Sequence, residues 1–262
     1  MTREELKNTL IDMAKEAPAR VSFLWQGMEE KECWAAYEPE KVMVSASTIK
    51  TMLMMALLDR VLKGEFSLDQ KINVAEEMIL SDSKFFEQGP GMYKLDEILR
   101  FMITKSDNSC TNVIINMLTM EGANAYFASI GLTETKLERL MLDFDAIKEG
   151  RNNYTSARDQ FAVYEMMYHH KVLTPEMCEL ALSILMDNRD YDLFYRYLPY
   201  NFKLAHKSGG LDCLSHDSGI FYLPGNEFYL GIFVSDGPND KFCEMLIGAM
   251  TRKIWDYLEE NK

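Results

Sequence analysis

Ser47-Thr48-Ile49-Lys50 sets a hydroxyl and an ammonium three residues apart, at the head of an apolar run, Thr51-Met52-Leu53-Met54-Met55-Ala56-Leu57-Leu58. A helix that is apolar all round is a buried helix. Gly64, after Lys63, is the expected stop. Residues three apart share a helix face, so Ser47 and Lys50 are expected to meet. A serine hydroxyl is a weak nucleophile until a base takes its proton. A lysine in apolar surroundings gives up its own proton more readily, because burial disfavours the charged form. The backbone N–H groups at a helix start face any negative charge that develops. The pair could therefore attack a carbonyl. Taken alone, Ser-x-x-Lys reads as an N-cap serine followed by an exposed lysine, so other residues must supply the rest of the chemistry.

Two further short motifs do so. Ser106-Asp107-Asn108 falls between two expected helices, where a loop projects side chains, and Lys207-Ser208-Gly209 falls at the end of an expected strand. Singly, the first is good turn chemistry and the second a solvated edge charge.

The elements that must position these groups follow from periodicity. Residues 3–17 carry Leu6, Leu10, Ile11 and Met13 among charges, the period of an amphipathic helix closed by Pro18. Val21 to Trp25 and Cys33 to Tyr37 read as a hairpin across a turn from Gly27 to Lys31. Helices are expected over Leu95 to Thr104, Thr111 to Met120 with Gly122 as its stop, Ser156 to His170, and Pro175 to Met186. Leu132 to Tyr154 reads as an irregular loop, and a long loop in a compact domain is usually functional. Strands are expected over Phe202 to Lys207, Ser218 to Leu223 and Phe228 to Val234, the last two joined by a turn at Pro224-Gly225-Asn226-Glu227. An amphipathic helix from Asp240 to Glu259 closes the chain. Sequential hairpins favour antiparallel pairing. The fold class is therefore α/β and two-lobed: a five-stranded antiparallel sheet flanked by terminal helices, plus an all-helical lobe. We expect one domain over residues 1–262, with the α/β lobe from about 1–46 and 201–262 and the helical lobe from about 47–200.

The 262 residues are 47% hydrophobic, enough for a substantial core, and the formal net charge is −13. That charge argues against a nucleic-acid or anionic-membrane partner, since both need a basic patch. Neither a signal-peptide core nor a membrane span is found, so the chain reads as cytoplasmic. The five cysteines, Cys33, Cys110, Cys178, Cys213 and Cys243, are scattered and read as free buried thiols. His206 and His216 read as structural, the adjacent His169 and His170 have no metal spacing, and no metal or cofactor is expected.

In chain order the motifs are Ser-x-x-Lys, Ser-Asp-Asn and Lys-Ser-Gly, and with them the sequence resembles class A β-lactamases and the wider penicillin-recognising serine hydrolases. The approach to Ser106 through Gly91 to Leu99, the helix from Asn112 to Leu118, and Leu137-Glu138-Arg139 at the opening of an Ω-shaped loop extend the resemblance over most of the chain. The resemblance implies a set of roles. Ser47 attacks a lactam, D-peptide or ester carbonyl, and Lys50 acts as base. Ser106 relays a proton to the leaving nitrogen. Asn108 holds the donor's amide side chain, while Lys207 and Ser208 bind its carboxylate. The N–H groups of Ser47 and Gly210 form the oxyanion hole. Gly209 and Gly210 leave room for the substrate.

The departures matter as much. Where the resemblance calls for a glutamate that activates the deacylating water, alignment from Leu137-Glu138-Arg139 puts Met141, and it puts Asp145 at an accompanying asparagine. Asp143 and Asp145 are the nearest carboxylates and stand as candidate bases. The expected function is an acyl-serine hydrolase with slow deacylation acting on a small molecule. The alternative is a covalent penicillin sensor that does not turn over. A glutaminase-like activity fits the last two motifs less well. Tyr93, Phe85 and Phe86 either line the cleft or pack in the core.

Overall fold

The computed structural model describes residues 1–261. The chain runs through α1 (Arg3–Glu16), β1 (Arg20–Gly27), β2 (Ala35–Tyr37), β3 (Met43–Val44), a 3₁₀ turn at Ala46–Thr48, and α2 (Ile49–Leu62). Next come β4 (Lys71–Val74), β5 (Gly91–Lys94), α3 (Leu95–Thr104), α4 (Asn108–Leu118), α5 (Met120–Ser129), α6 (Phe144–Lys148), β6 (Tyr154–Thr155), α7 (Ala157–Tyr168) and α8 (Pro175–Met186). A 3₁₀ turn at Phe194–Tyr197 precedes β7 (Lys203–Leu211), β8 (Leu214–Leu223), β9 (Asn226–Ser235) and α9 (Asp240–Glu260). Among the described residues no helix is long and apolar enough to cross a membrane.

Strands from both ends of the chain make one antiparallel sheet in the order β2-β1-β9-β8-β7. Side chains alternate across it. On β9, Phe228, Leu230, Ile232 and Val234 face a core shared with Leu6 and Leu10 of α1 and Ile247, Met250 and Ile254 of α9. Tyr229 and Phe233 face the other way, into a core with Leu53 and Leu57 of α2, Ile114 of α4 and Tyr164 of α7. The sheet is thus covered on both faces and its central strands are continuously buried. Every residue from Ile49 to Leu58 is buried, so α2 is the axis of the helical side.

Some expectations need correction. The helix expected to end before Gly122 ends at Leu118. Thr119, at φ +59°, turns the chain, and its hydroxyl caps α5, with Gly122 inside the first turn. β7 extends past Lys207 to Leu211, so the Lys-Ser-Gly motif lies within a strand, not at its end. Its pairing with β8 continues to Leu211 opposite Leu214, which the two glycines obscured in the sequence pattern. Cys33 is exposed and Cys213 half-buried, because both lie in connections between strands; only Cys110, Cys178 and Cys243 are buried. Of the two alternatives for Phe85, Phe86 and Tyr93, packing holds: they meet one another edge-on or tilted, Phe85 also meets Phe101, and none of the three lines a cavity with Ser47.

Candidate active site

Ser47 sits in the 3₁₀ turn that leads into α2, half-buried and facing a cavity of about 400 Å³. The turn is pinned from behind, where Gln160 on α7 donates to the Thr48 carbonyl at 3.3 Å and accepts from Ser218 at 3.2 Å. From the front β7 presses on it. A Cβ built on Gly209 would stand 2.7 Å from the Ser47 backbone nitrogen and 3.0 Å from that of Thr48. Gly209 is therefore bare so that strand and turn can touch, rather than to admit substrate as expected. At Gly210 the same added atom would meet nothing nearer than 3.7 Å.

Lys50 is fully buried. A buried ammonium must have its donors satisfied. Lys50 Nζ bonds the Ser106 carbonyl at 2.6 Å, the Ser106 hydroxyl at 3.1 Å and Asn108 Oδ1 at 3.0 Å. The expected direct meeting with Ser47 is not among its hydrogen bonds. Those three partners, all from the α3–α4 corner, satisfy its donors. Burial first, and the nearby Lys207 charge second, hold its pKa well below the ordinary lysine value.

The corner owes its shape to two neighbours. Ser106 takes φ +54°, a left-handed conformation that a residue with a Cβ adopts at a cost of about 1 kcal/mol or more. That conformation turns both its carbonyl and its hydroxyl toward Lys50. Asp107 caps α4 through Cys110 N and ties down the preceding loop through the Ser83 hydroxyl and the N–H groups of Lys84 and Phe85. Asn108 donates to Asp82 at 2.8 Å, which fixes which end of its amide faces Lys50.

Lys207 and Ser208 come from β7. Lys207 is buried, and burial lowers its pKa to about 8 against the opposing pull of Asp190 and Asp217. The Ser208 hydroxyl donates to the Asp190 carboxylate. Ser106, Asn108, Ser208, Gly209 and Gly210 line one cavity with Ser47, so the three sequence motifs meet in one cleft. His206 and His216 lie off it. His206 pairs with buried Asp217 at 2.9 Å. His216 is held to the Val44 carbonyl, and burial lowers its pKa to about 4.

A second, smaller cavity shares Ser47, Asn108 and Gly210 and is closed by Arg139, Met141, Leu142 and Phe144. These residues come from the 132–154 loop. Its neck is tied by Asn153, whose Oδ1 accepts from Glu138 N at 2.8 Å and Arg139 N at 3.0 Å, and by the Lys136–Tyr154 bridge. Asn112 on α4 clamps Met141 from both sides of its backbone, accepting from its N–H at 2.7 Å and donating to its carbonyl at 3.2 Å. Met141 thereby lines the small cavity it shares with Ser47. Asp143 does not, because it caps α6, and Asp145 points outward to Lys148 with 86% of its side chain exposed. Neither lines a cavity with Ser47. Sequence reasoning missed Asp190, Asp192 and Glu244, which line the opposite wall of the large cavity. The only signal for the two aspartates was the acidic stretch Asp187 to Asp192 after α8, and Glu244, within α9, gave none.

The Beta-lactamase enzyme family model matches residues 3–258. Beta-lactamase AER-1 of Aeromonas hydrophila is 27% identical over 168 residues, 62% of this chain and 55% of the relative, so that match spans just over half the relative's length. A beta-lactamase structure from Chitinophaga pinensis superposes with a TM-score of 0.90 at 23% identity, covering 97% of this chain and 99% of the other. A mutant of PBP-A, solved as its acyl-enzyme complex with penicillin G, gives a TM-score of 0.88 at 21% identity, covering 98% and 97%. The fold is shared with both structures, and the family model matches nearly the whole sequence: the chain belongs to the beta-lactamase enzyme family of serine hydrolases.

Proposed function

We propose that this protein opens a β-lactam, D-peptide or ester through an acyl-enzyme on Ser47 and releases the acyl group slowly. The observation that carries the reading is Lys50: a fully buried amine, depressed in pKa, bonded to Ser106 and Asn108 one helical turn from Ser47. Once it has released one proton, which its depressed pKa favours, such an amine accepts the serine proton as the hydroxyl attacks. The Lys50–Ser106 contact at 3.1 Å offers a path that returns the proton to the leaving group. Asn108 orients the acyl side, Lys207 and Ser208 the leaving side, and the N–H groups of Ser47 and Gly210 hold the oxyanion.

Deacylation needs a second base within reach of a water. The loop residues on that wall are Arg139, Met141, Leu142 and Phe144, none of them a carboxylate, and Met141 is a thioether that takes up no proton at neutral pH. Asp143 and Asp145 stand outside the wall, so we assign neither as base. This same feature favours the second reading, a covalent penicillin-binding protein that acylates without efficient turnover.

Intact mass spectrometry with penicillin, followed over time, tests the proposal. The wild type gains one penicillin mass, which persists, and Ser47→Ala gains none. Met141→Glu, which sets a carboxylate on the clamped backbone, clears the adduct faster by about 10²–10⁴-fold, the usual worth of a general base. An adduct of full mass on Ser47→Ala, or rapid wild-type turnover with no adduct, contradicts the reading.

A further inference from the structure

On the leaving side of the cleft the Ser208 hydroxyl, with the buried Lys207 behind it, forms a seat suited to a carboxylate. In this molecule a carboxylate of the chain already sits there. The Ser208 hydroxyl donates to Asp190 Oδ2, while Asp190 Oδ1 accepts from Asp192 N at 3.1 Å. Lys207 stands behind this contact: its Nζ donates to the Ser208 carbonyl at 2.8 Å and forms no ion pair with Asp190, whose charge acts on the buried amine through space, as that of Asp217 does.

Asp190 is not a loose surface acid. The loop that carries it is fastened at both ends to the sheet. Before it, buried Asn188 donates to the His206 carbonyl at 3.1 Å and accepts from Asp190 N at 3.3 Å. After it, Phe194 N donates to Asp217 at 3.4 Å, and Asp217 is itself held by His206. The loop therefore delivers the carboxylate to Ser208 as part of the fold. Around it, Asp192 and Glu244 line the same cavity, and although Glu244 is paired with Arg196, no lysine or arginine lines that cavity among the described residues. An incoming carboxylate would have to displace Asp190 and rest beside Asp192, a like-charge arrangement in a partly buried site.

We propose that Asp190 is a specificity-determining residue whose carboxylate occupies the Ser208 hydroxyl in front of Lys207, so that Ser47 acts on acyl donors whose leaving side is neutral or cationic. The inference rests on the proposed acylation of Ser47 and names its substrate class. Its test uses two probes that differ only in that group, benzylpenicillin and its methyl ester. Adduct formation on Ser47 is timed by intact mass for the wild type, Asp190→Asn and Asp190→Ala. Asp190→Asn keeps shape and removes charge; Asp190→Ala vacates the seat. The wild type acylates faster with the ester. In both variants the acid-to-ester rate ratio rises about tenfold or more, as expected when one unfavourable charge contact is removed. A ratio within twofold of wild type in both folded variants, or one that falls, overturns the role of Asp190 while leaving the Ser47 reading intact. Absence of any adduct from either probe, in all three proteins, overturns the Ser47 reading itself.

Discussion

Lys50 concentrates the chemistry of the site in a single atom. Its three hydrogen bonds all come from Ser106 and Asn108, so the amine is positioned by the helix corner rather than by Ser47. Two explanations of its presence differ in outcome. As a base it must lose a proton; as a fixed cation it need only carry charge. Arginine keeps the charge and cannot deprotonate in a protein. We expect Lys50→Arg and Lys50→Ala both to slow adduct formation on Ser47 by about 10²–10⁴-fold, measured with a neutral ester so that leaving-side charge plays no part. Burial lowers the Lys50 pKa, which raises its free-base fraction near neutrality. Wild-type acylation should accordingly fall as pH drops through that pKa. Recovery by Lys50→Arg to within tenfold of wild type would make Lys50 a cation and not a base.

At the scale of elements, the proposed nucleophile depends on a strand pressed against a turn. β7 approaches the 3₁₀ turn so closely that Gly209 admits no Cβ without moving the Ser47 or Thr48 backbone, and backbone has little room to give. This contact sets where the Ser47 N–H points. We expect Gly209→Ala to keep the fold, since the sheet register involves many other pairs, but to cost about 10²–10³-fold in acylation, the scale of losing one oxyanion donor. Adduct kinetics alongside a thermal melt check this; undiminished acylation would separate the strand contact from catalysis. The 132–154 loop works on the same principle. Its neck is fastened by Asn153 and its tip by Asn112, so Met141 is held at the cleft by two side-chain clamps whose partners lie far apart in sequence.

For the whole molecule the governing quantity is charge. A formal net charge of −13 surrounds a cleft whose leaving-side wall adds Asp190, Asp192 and Glu244. Such a field lowers the local concentration of anions and weakens with salt. We expect second-order acylation by benzylpenicillin to rise roughly two- to fivefold from low to physiological ionic strength, and that by its methyl ester to stay nearly constant. A stopped-flow or quench series across salt measures both, and equal salt dependence would show that the field does not reach the reaction. The architecture that holds this field is a sheet built from both chain ends and covered on each face by its own core.

The sequence by itself determined the parts that depend on short-range pattern. An unbroken apolar run had to be buried, which identified α2 and put Ser47 at its head. Strand candidates on either side of a clear turn identified β9 and the second half of β8, and Pro175 and Met186 bound a helix as expected. Three motifs in order carried the family. Other features depended on contacts across large separations, and only the tertiary structure decided them. Lys50 is bonded to a corner 56 and 58 positions away, not to its neighbour on the helix, because that corner satisfies all its donors. Gly209 is bare because of Ser47, 162 positions earlier by numbering. Asp143 and Asp145 were near the expected base in sequence, yet the local turn at Leu142, with φ +59°, sends them out of the cleft while Asn112 keeps Met141 in it. Asp190 gave no motif at all. A carboxylate in a polar stretch is unremarkable until a loop fastened to His206 and Asp217 brings it onto Ser208, and only the folded chain brings those groups together.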